Sequence, residues 1–263
     1  MTTAQLVYEA LDRKAPFSLQ MDFDNAGFLV GYGDAPVSHI LVALDITMPV
    51  IEEAAAWGAQ LIVSHHPVIF HPVRSLRDND PTGRKLLALA ERKMAVICAH
   101  TNLDAVQDGV NDQLAKALGL SNVEQLHQDG VDISGAPYGI GRVGEVELCT
   151  LAQFAEKVKK TLHTGGVRVA DGGKSVRRVA VGGGSCGSML GDVLEKGCDT
   201  FVTSDVKYDT FLDATAQGIN LIDAGHFSTE DVVCPMLVQE LSAAFPDVEV
   251  RKSQVHSEVF SYT

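Results

Sequence analysis

The chain has 263 residues, of which 46% are hydrophobic and 21% charged, a composition typical of a globular protein with one large or two modest domains. Its formal net charge of -13 disfavours a nucleic-acid partner, because that kind of binding depends on Lys and Arg side chains that neutralise phosphates. The sequence contains no run of roughly 18 apolar residues and no start typical of a signal peptide. We therefore expect a cytoplasmic protein without a membrane partner.

The first half of the chain predicts alternating strands and helices. Strands are predicted at 39–45, 60–64 and 95–98, and helices from 46–49 to Gly58 and near 84–93. Thr47 suits the N-cap of the first of these helices, and Pro49 suits its first turn. The central residues of all three strands are apolar, which is typical of a buried sheet.

The second half repeats this order of elements. Strands are predicted at 176–181, 199–203 and 219–222, and helices at 188–196, near 208–217 and from about 229. Strands that alternate with helices imply right-handed crossovers between parallel neighbours. The sequence therefore predicts an α/β fold of two pseudo-repeated lobes with mainly parallel sheets, residues 1–128 and 129–263. The C-terminal segment can pack back on the first lobe.

Histidines and carboxylates follow the strands of both halves. His65 and His66 come directly after one strand, and each half then contains a His-x-x-x-carboxylate segment, His100 to Asp104 and His226 to Glu230. Ligands of parallel sheets gather beyond the carboxyl ends of the strands. Because the pattern is duplicated, it predicts a dinuclear metal site between the two lobes.

A structural role explains part of this pattern. Asp104 and Glu230 each lie where a helix is expected to start, and a carboxylate is favoured there by the free N–H groups and the helix dipole. Ser228 with Asp231 resembles a capping box. A cap explains the acidic residues but not the histidines that accompany them, so metal binding is the favoured interpretation.

Five segments resemble the Nif-three-like family, also called GTP cyclohydrolase I type 2 homologues. They are residues 24–31, 62–70, 99–104, 109–112 and 222–230. The His-His-Pro motif at His65 and the Gly-His-x-x-x-Glu motif at Gly225 are specific in combination. The resemblance spans nearly the whole chain, whose length is similar to that of the short form without an inserted middle domain.

The resemblance implies a ligand set and an assembly. It implies that two divalent ions are bound by His65, His66, Asp104, His226 and Glu230, with Glu230 bridging the ions. It also implies a toroidal homohexamer. The sequence departs from the family at Phe23, where a Trp is common, at Asp209, where many members have His, and at Ser204, which replaces a Gly before Asp205. The roles of Asp205 and Asp209 are therefore open.

The ligand types define the chemistry. Histidine and carboxylate ligands without thiolate suit Zn, Mn, Fe, Co or Ni, and the sequence does not choose among them. Two bridged ions lower the pKa of a shared water and hold an oxygen of the substrate. The leading function is therefore a metal-dependent hydrolase, similar to GTP cyclohydrolase type 2, that uses a metal-bridging water. Its substrate is an unknown small molecule, for which a nucleotide-like compound is one candidate. His100 is expected to orient a ligand or transfer a proton, and a buried structural histidine is the alternative.

Two other classes of function stay open. A metal carrier or scaffold protein would need the same ligands as a hydrolase, so the sequence does not separate the two. The loop from Gly182 to Gly187 matches Gly-x-Gly-x-x-Gly between a strand and a helix, which is the layout of a dinucleotide-binding loop. That short pattern often occurs by chance, and dinucleotide binding is the weaker alternative.

Overall fold

A computed structural model describes residues 1–132 and 135–263. The first half of the chain contains α1 (Ala4–Lys14), β1 (Gly27–Val30), β2 (His39–Ala43), α2 (Met48–Trp57), β3 (Leu61–Ser64), α3 (Pro81–Glu91), β4 (Ala95–Cys98), α4 (Thr101–Ala105), α5 (Val110–Ala117), β5 (Ser121–Gln125) and β6 (Gly130–Val131). The second half contains β7 (Pro137–Tyr138), β8 (Arg142–Cys149), α6 (Leu151–Thr161), β9 (Arg168–Ala170), β10 (Val176–Val181), α7 (Leu190–Glu195), β11 (Thr200–Thr203), α8 (Tyr208–Ala216), β12 (Asn220–Asp223), α9 (His226–Glu230), α10 (Val233–Ala244) and β13 (Glu249–Lys252).

Two compact units divide the chain. The first consists of residues 1–103 and 234–257, and the second of residues 104–233 and 258–263. The division into two lobes near residue 128 stays a prediction.

The first unit is built on a five-stranded sheet in the order β1-β4-β3-β2-β13. The strands β4, β3, β2 and β13 are parallel neighbours, and β1 pairs with β4 in the antiparallel direction. Every residue of β3 and β4 is buried, as the apolar runs in the sequence predicted. The mainly parallel sheet predicted for the first half is therefore confirmed for this unit.

Helix α2 begins and ends where the sequence predicted. The hydroxyl of Thr47 accepts a hydrogen bond from the main-chain N–H of Val50, and Pro49 lies in the first turn. Gly58 ends the helix in the left-handed conformation, with φ of 81°. Helix α3 begins three residues earlier than predicted, because the carboxylate of Asp80 caps it.

The second unit contains a six-stranded sheet in the order β5-β8-β10-β11-β12-β9. The repeated strands β10, β11 and β12 are parallel, but the other three of its five pairings are antiparallel. The prediction of a mainly parallel sheet is therefore wrong for this unit. The strands β5, β8 and β9 lie outside the repeat from which the prediction was made, and they extend the sheet on both sides.

Three strands, β3, β4 and β12, each end shortly before a histidine of the predicted site. In the first unit, β3 ends directly before His65, and β4 ends two residues before His100. In the second unit, β12 ends shortly before His226. The buried strands therefore fix the places at which these histidines leave the sheets.

Within residues 1–132 and 135–263, no helix is both long and apolar enough to cross a membrane.

A buried arginine connects helix α5 to the sheet of the second unit. Arg142, at the start of β8, donates through Nε and Nη2 to the carboxylate of Asp112 at 2.9 and 2.8 Å. It also donates to the main-chain carbonyls of Val106, Gly139 and Gly141. The side chain of Arg142 is only 3% exposed, so these contacts are shielded from water.

We predict that Arg142→Met lowers the free energy of unfolding by about 3 kcal/mol, because a partly buried carboxylate and three carbonyls lose their donor. Urea denaturation measures the change. Arg177→Met, at an exposed position on β10, is the matched control and should change the free energy by less than about 0.5 kcal/mol. Equal losses in the two variants would contradict a special role for Arg142.

Candidate metal centre

Three histidines of the first unit lie together at the ends of β3 and β4. One ring nitrogen from each of His65, His66 and His100 lies within 4.8 Å of the others. Main-chain contacts fix the turn that carries the first two, since Ser64 donates from its hydroxyl to the carbonyl of His66 at 2.8 Å. The thiol of Cys98 donates to the carbonyl of His65 at 2.8 Å. The strand ends therefore hold the three rings close together.

The tautomer of His65 follows from its hydrogen bond. Its Nδ1 lies 2.8 Å from the carbonyl oxygen of Ala99. A carbonyl oxygen can only accept, so Nδ1 carries the proton and, in the neutral ring, Nε2 carries a lone pair. The residue is fully buried. His65 is therefore fixed in the tautomer that binds a metal ion through Nε2.

Carboxylates hold the other two rings in the same way. Nδ1 of His66 lies 2.7 Å from Asp45 Oδ1, and Nδ1 of His100 lies 2.7 Å from Asp24 Oδ1. Burial raises the pKa of Asp24, but hydrogen bonds from His100 and Thr101 outweigh that effect and bring its pKa down to about 2. Burial acts on Asp45 in the same direction, and hydrogen bonds with His256 and His66 reverse it, so its pKa is also lowered. Both carboxylates are therefore ionised acceptors near neutral pH.

The second unit places a histidine and a glutamate side by side on a short helix. His226 opens α9 and Glu230 ends it, so the two side chains are one turn apart on the same face. Nε2 of His226 lies 3.0 Å from Glu230 Oε2, and its Nδ1 lies 2.7 Å from Asp205 Oδ2. A neutral ring that donates through Nδ1 turns a lone pair toward the glutamate. Only a proton or a cation relieves that repulsion.

Asp205 holds His226 from a backbone conformation that few residues adopt. Its φ is 51°, in the left-handed region. Aspartate tolerates this region better than most residues, and such conformations persist where the surrounding structure requires them. The two units share this arrangement. Asp45 follows β2 and accepts a hydrogen bond from His66, which follows β3; Asp205 follows β11 and accepts one from His226, which follows β12. In both pairs the histidine comes 21 residues after the aspartate. This answers the question that the sequence left open about Asp205.

Asp104 completes the cluster of the second unit. Its carboxylate and that of Glu230 each have an oxygen within 4.8 Å of the other. Asn111 fixes the main chain here, since its amide nitrogen donates to the carbonyl of Asp104 at 2.9 Å and its amide oxygen accepts from Gly183 N at 2.9 Å. Both acidic residues are buried, at 9% and 3% exposure. Two buried carboxylates at this separation favour a cation between them.

Burial raises the pKa of the Cys186 thiol, and the charges of Asp104 and Glu230 add to that effect. This thiol is therefore a poor source of thiolate. The groups that could hold a metal ion in these clusters are imidazole nitrogens and carboxylate oxygens.

The glycine-rich loop packs directly against the cluster of the second unit. A Cβ atom added to Gly184 would lie 2.1 Å from Glu230 Oε1 and 3.3 Å from His226 Nε2. A Cβ added to Gly183 would lie 2.8 Å from a methyl group of Val110. Close packing beside Glu230 therefore requires glycine at position 184, a cause of this part of the pattern that does not involve nucleotide binding.

The chemistry of the donor set fits a divalent metal ion. All four histidines have Nδ1 within 2.8 Å of an oxygen acceptor, the arrangement that metal-binding histidines adopt in proteins. The acceptors are fixed by buried strands or by hydrogen bonds of their own. The histidines and carboxylates of these clusters could therefore hold a metal ion. Imidazole together with carboxylate suits Zn, Mn, Fe, Co or Ni.

Sequence reasoning found the histidines but missed the residues that orient them. They are Asp24, Asp45 and His256, for which the sequence pattern predicted no role in the site. In the structure, Nε2 of His256 lies 3.3 Å from the main-chain nitrogen of Asp45 and 3.7 Å from its Oδ2, so this ring contacts the residue that holds His66. The capping-box interpretation is wrong for Ser228, because this residue lies inside α9 and the N-cap is Gly225.

The fold and these clusters define a mixed α/β protein with a candidate metal site of histidine and carboxylate. The sequence matches the DUF34/NIF3 (NGG1p interacting factor 3) family over residues 2–258. The chain belongs to this family, which confirms the resemblance seen in the sequence.

Individual relatives agree with this assignment. A protein of Clostridium acetobutylicum named "GTP cyclohydrolase 1 type 2 homolog" is 36% identical, and the match covers 82% of this chain and 81% of the relative. A relative of that name from Halalkalibacterium halodurans is 28% identical over 370 aligned positions, covering 100% of this chain and 99% of the relative. Since this chain has 263 residues, it lacks residues present in that relative, as expected of the short form. The crystal structure of a Bacillus cereus protein related to NIF3 superposes with a TM-score of 0.94, at 26% identity and with 100% and 99% of the two chains covered.

We predict that Gly184→Ala weakens metal binding by roughly tenfold or more, because the added methyl group displaces the Glu230 carboxylate. Competition with a chromogenic chelator measures the affinity. Gly197→Ala is the matched control: its φ is 66° against 65° for Gly184, but an added Cβ meets no atom of the described residues within 4 Å. Equal affinities in the two variants would show that Gly184 does not position a ligand.

Proposed function

We propose that this protein binds two divalent metal ions per chain and acts as a metal-dependent hydrolase. The proposed ligands are His65, His66, Asp104, His226 and Glu230, with Glu230 shared by the two ions. The observation that carries the proposal is the fixed tautomer of the histidines, whose Nδ1 atoms are held by oxygen acceptors so that Nε2 is available. Membership of the family supports the same set of ligands.

The ions would supply the hydrolytic chemistry. Two divalent ions held by these ligands would lower the pKa of a bound water molecule and would stabilise charge that develops on the substrate. The protein contributes orientation, because Asp45 and Asp205 keep the rings of His66 and His226 from rotating.

His100 is proposed to position groups or to transfer a proton. Its ring lies against those of His65 and His66, with centroids 5.2 and 5.5 Å away. The side chain is 16% exposed, so a proton on Nε2 can exchange with solvent or substrate. Asp24 holds Nδ1 and so fixes the orientation of the ring.

The substrate class is proposed from the names of the relatives. Proteins named "GTP cyclohydrolase 1 type 2 homolog" suggest that a nucleotide-like small molecule is the substrate. Assembly as a homohexamer is proposed from the resemblance to the family. Light scattering after size-exclusion chromatography measures the assembled mass and would exclude the hexamer if one chain or two were found.

We predict that the untagged protein contains about two divalent ions per chain and that His226→Ala with Glu230→Ala removes most of them, because both ligands of α9 are lost. Plasma mass spectrometry measures the metal content. The matched control is His39→Ala with Glu249→Ala, which removes a His–Glu contact of 3.6 Å elsewhere in the chain and should leave the metal content unchanged. Near-zero metal in the wild-type protein, even after reconstitution, would contradict the proposal.

The same proteins separate a hydrolase from a carrier. A screen of nucleotides and phosphate esters with the loaded wild-type protein should reveal turnover that the His226→Ala, Glu230→Ala variant lacks. His100→Ala should keep its metal and lose turnover. If the protein instead releases its ions rapidly to an acceptor and hydrolyses nothing, a metal carrier is the correct function.

A further inference from the structure

A cavity in the first unit begins directly beside the His-His-Pro turn. It has a volume of about 450 Å³, within the range of about 300 to 1,000 Å³ that is typical of small-molecule sites. Pro67 and Val68, which follow His66, line one side of it. Residues from the loop at 70–75 and from the start of α3 line the rest.

The polar lining of this cavity is mostly cationic or hydrogen-bond donating. Arg74 and Lys85 supply a guanidinium and an ammonium group, and the hydroxyls of Ser75 and Thr82 can both donate. His71 adds an imidazole. In a chain with a formal net charge of -13, two basic side chains and two hydroxyls around one cavity favour an anionic ligand.

One carboxylate also lines the cavity. Asp80 caps α3 and accepts a hydrogen bond from Gly83 N at 2.7 Å. This N–H group partly compensates its charge. The first turn of α3 also faces the cavity through Thr82, and the positive end of the helix dipole favours an anion there. The positive groups therefore outweigh Asp80.

Lys85 connects the cavity to the candidate metal centre. Burial lowers its pKa, and the negative charges of Asp45 and Asp80 act in the opposite direction. Asp45 is the acceptor that holds His66. An anion in the cavity would compensate the charge of the partly buried Lys85 ammonium. Lys85 interacts with Asp45, and Asp45 in turn contacts His66, a proposed metal ligand.

We propose that this cavity binds a phosphate group, and that this group belongs to the substrate of the neighbouring centre. The second part rests on the proposed hydrolase function, whereas the binding of phosphate does not. A guanidinium fork matches two oxygens of a tetrahedral oxyanion, and an ammonium with two hydroxyls can reach the remaining ones. The volume exceeds that of a single small ion, so the cavity has room for part of an organic molecule that carries the phosphate.

The test uses the full chain and two probes, inorganic phosphate and adenosine monophosphate, each titrated by calorimetry and by phosphorus NMR. Arg74→Gln with Lys85→Gln should weaken the binding of both probes by roughly tenfold or more, because charge-assisted hydrogen bonds are lost. Arg13→Gln removes a positive charge from an exposed position on α1 and should leave binding unchanged within about twofold. If Lys85→Gln disturbs folding, the exposed Arg74→Gln change alone carries the test.

The His226→Ala, Glu230→Ala variant separates this cavity from phosphate bound to metal ions. Binding of both probes should persist in it. Loss of binding in that variant, combined with wild-type affinity in the Arg74 and Lys85 variant, would overturn the proposal. Absence of phosphate binding to the wild-type protein would also overturn it.

A protein that binds inorganic phosphate but not adenosine monophosphate would overturn the assignment to a substrate. Phosphate binding without hydrolysis of any substrate would leave the cavity established and defeat only the proposed hydrolase.

Discussion

The proposed centre depends on hydrogen bonds from the Nδ1 atoms of four histidines. An imidazole has two nitrogens, and which one can bind a cation is decided by what the other one contacts. Here a carbonyl and three carboxylates each accept from Nδ1, at 2.7 or 2.8 Å. Each ring is thereby fixed in orientation and in tautomer. Without these acceptors, the histidines would be ordinary polar residues at strand ends.

Buried strands lead directly to two of these acceptors, because Ala99 follows β4 and Asp205 lies two residues after the end of β11. Every residue of β3, β4, β11 and β12 is buried, so the segments that leave these strands have little freedom. Local features then place the acidic ligands. Glycine at position 184 leaves room for the Glu230 carboxylate, and Asn111 holds the main chain at Asp104. The buried strands therefore fix the main chain near the proposed ligands, and the glycine at position 184 provides the space that one of them occupies.

Much of the repeated α/β pattern could be predicted because its strands are continuous apolar runs between clear helix caps. The strands at 95–98 and 176–181 were predicted with the bounds they have in the structure. The antiparallel strands β5 and β9 are short and largely exposed, so their hydrophobic pattern is weak. The partners of the histidines could not be predicted, because contacts such as that between Asp24 and His100 join residues 76 positions apart. Helix α9 has only five residues, too few for helical periodicity to show that His226 and Glu230 share one face.

The most direct test of the account is anomalous X-ray diffraction from crystals of the metal-loaded protein, collected at the absorption edge of the bound element. The account predicts two peaks per chain, bonded to Nε2 of His65, His66 and His226 and to oxygens of Asp104 and Glu230, with each Nδ1 still held by its acceptor. A single peak, ions bound through Nδ1, or ions bound away from these histidines would contradict it.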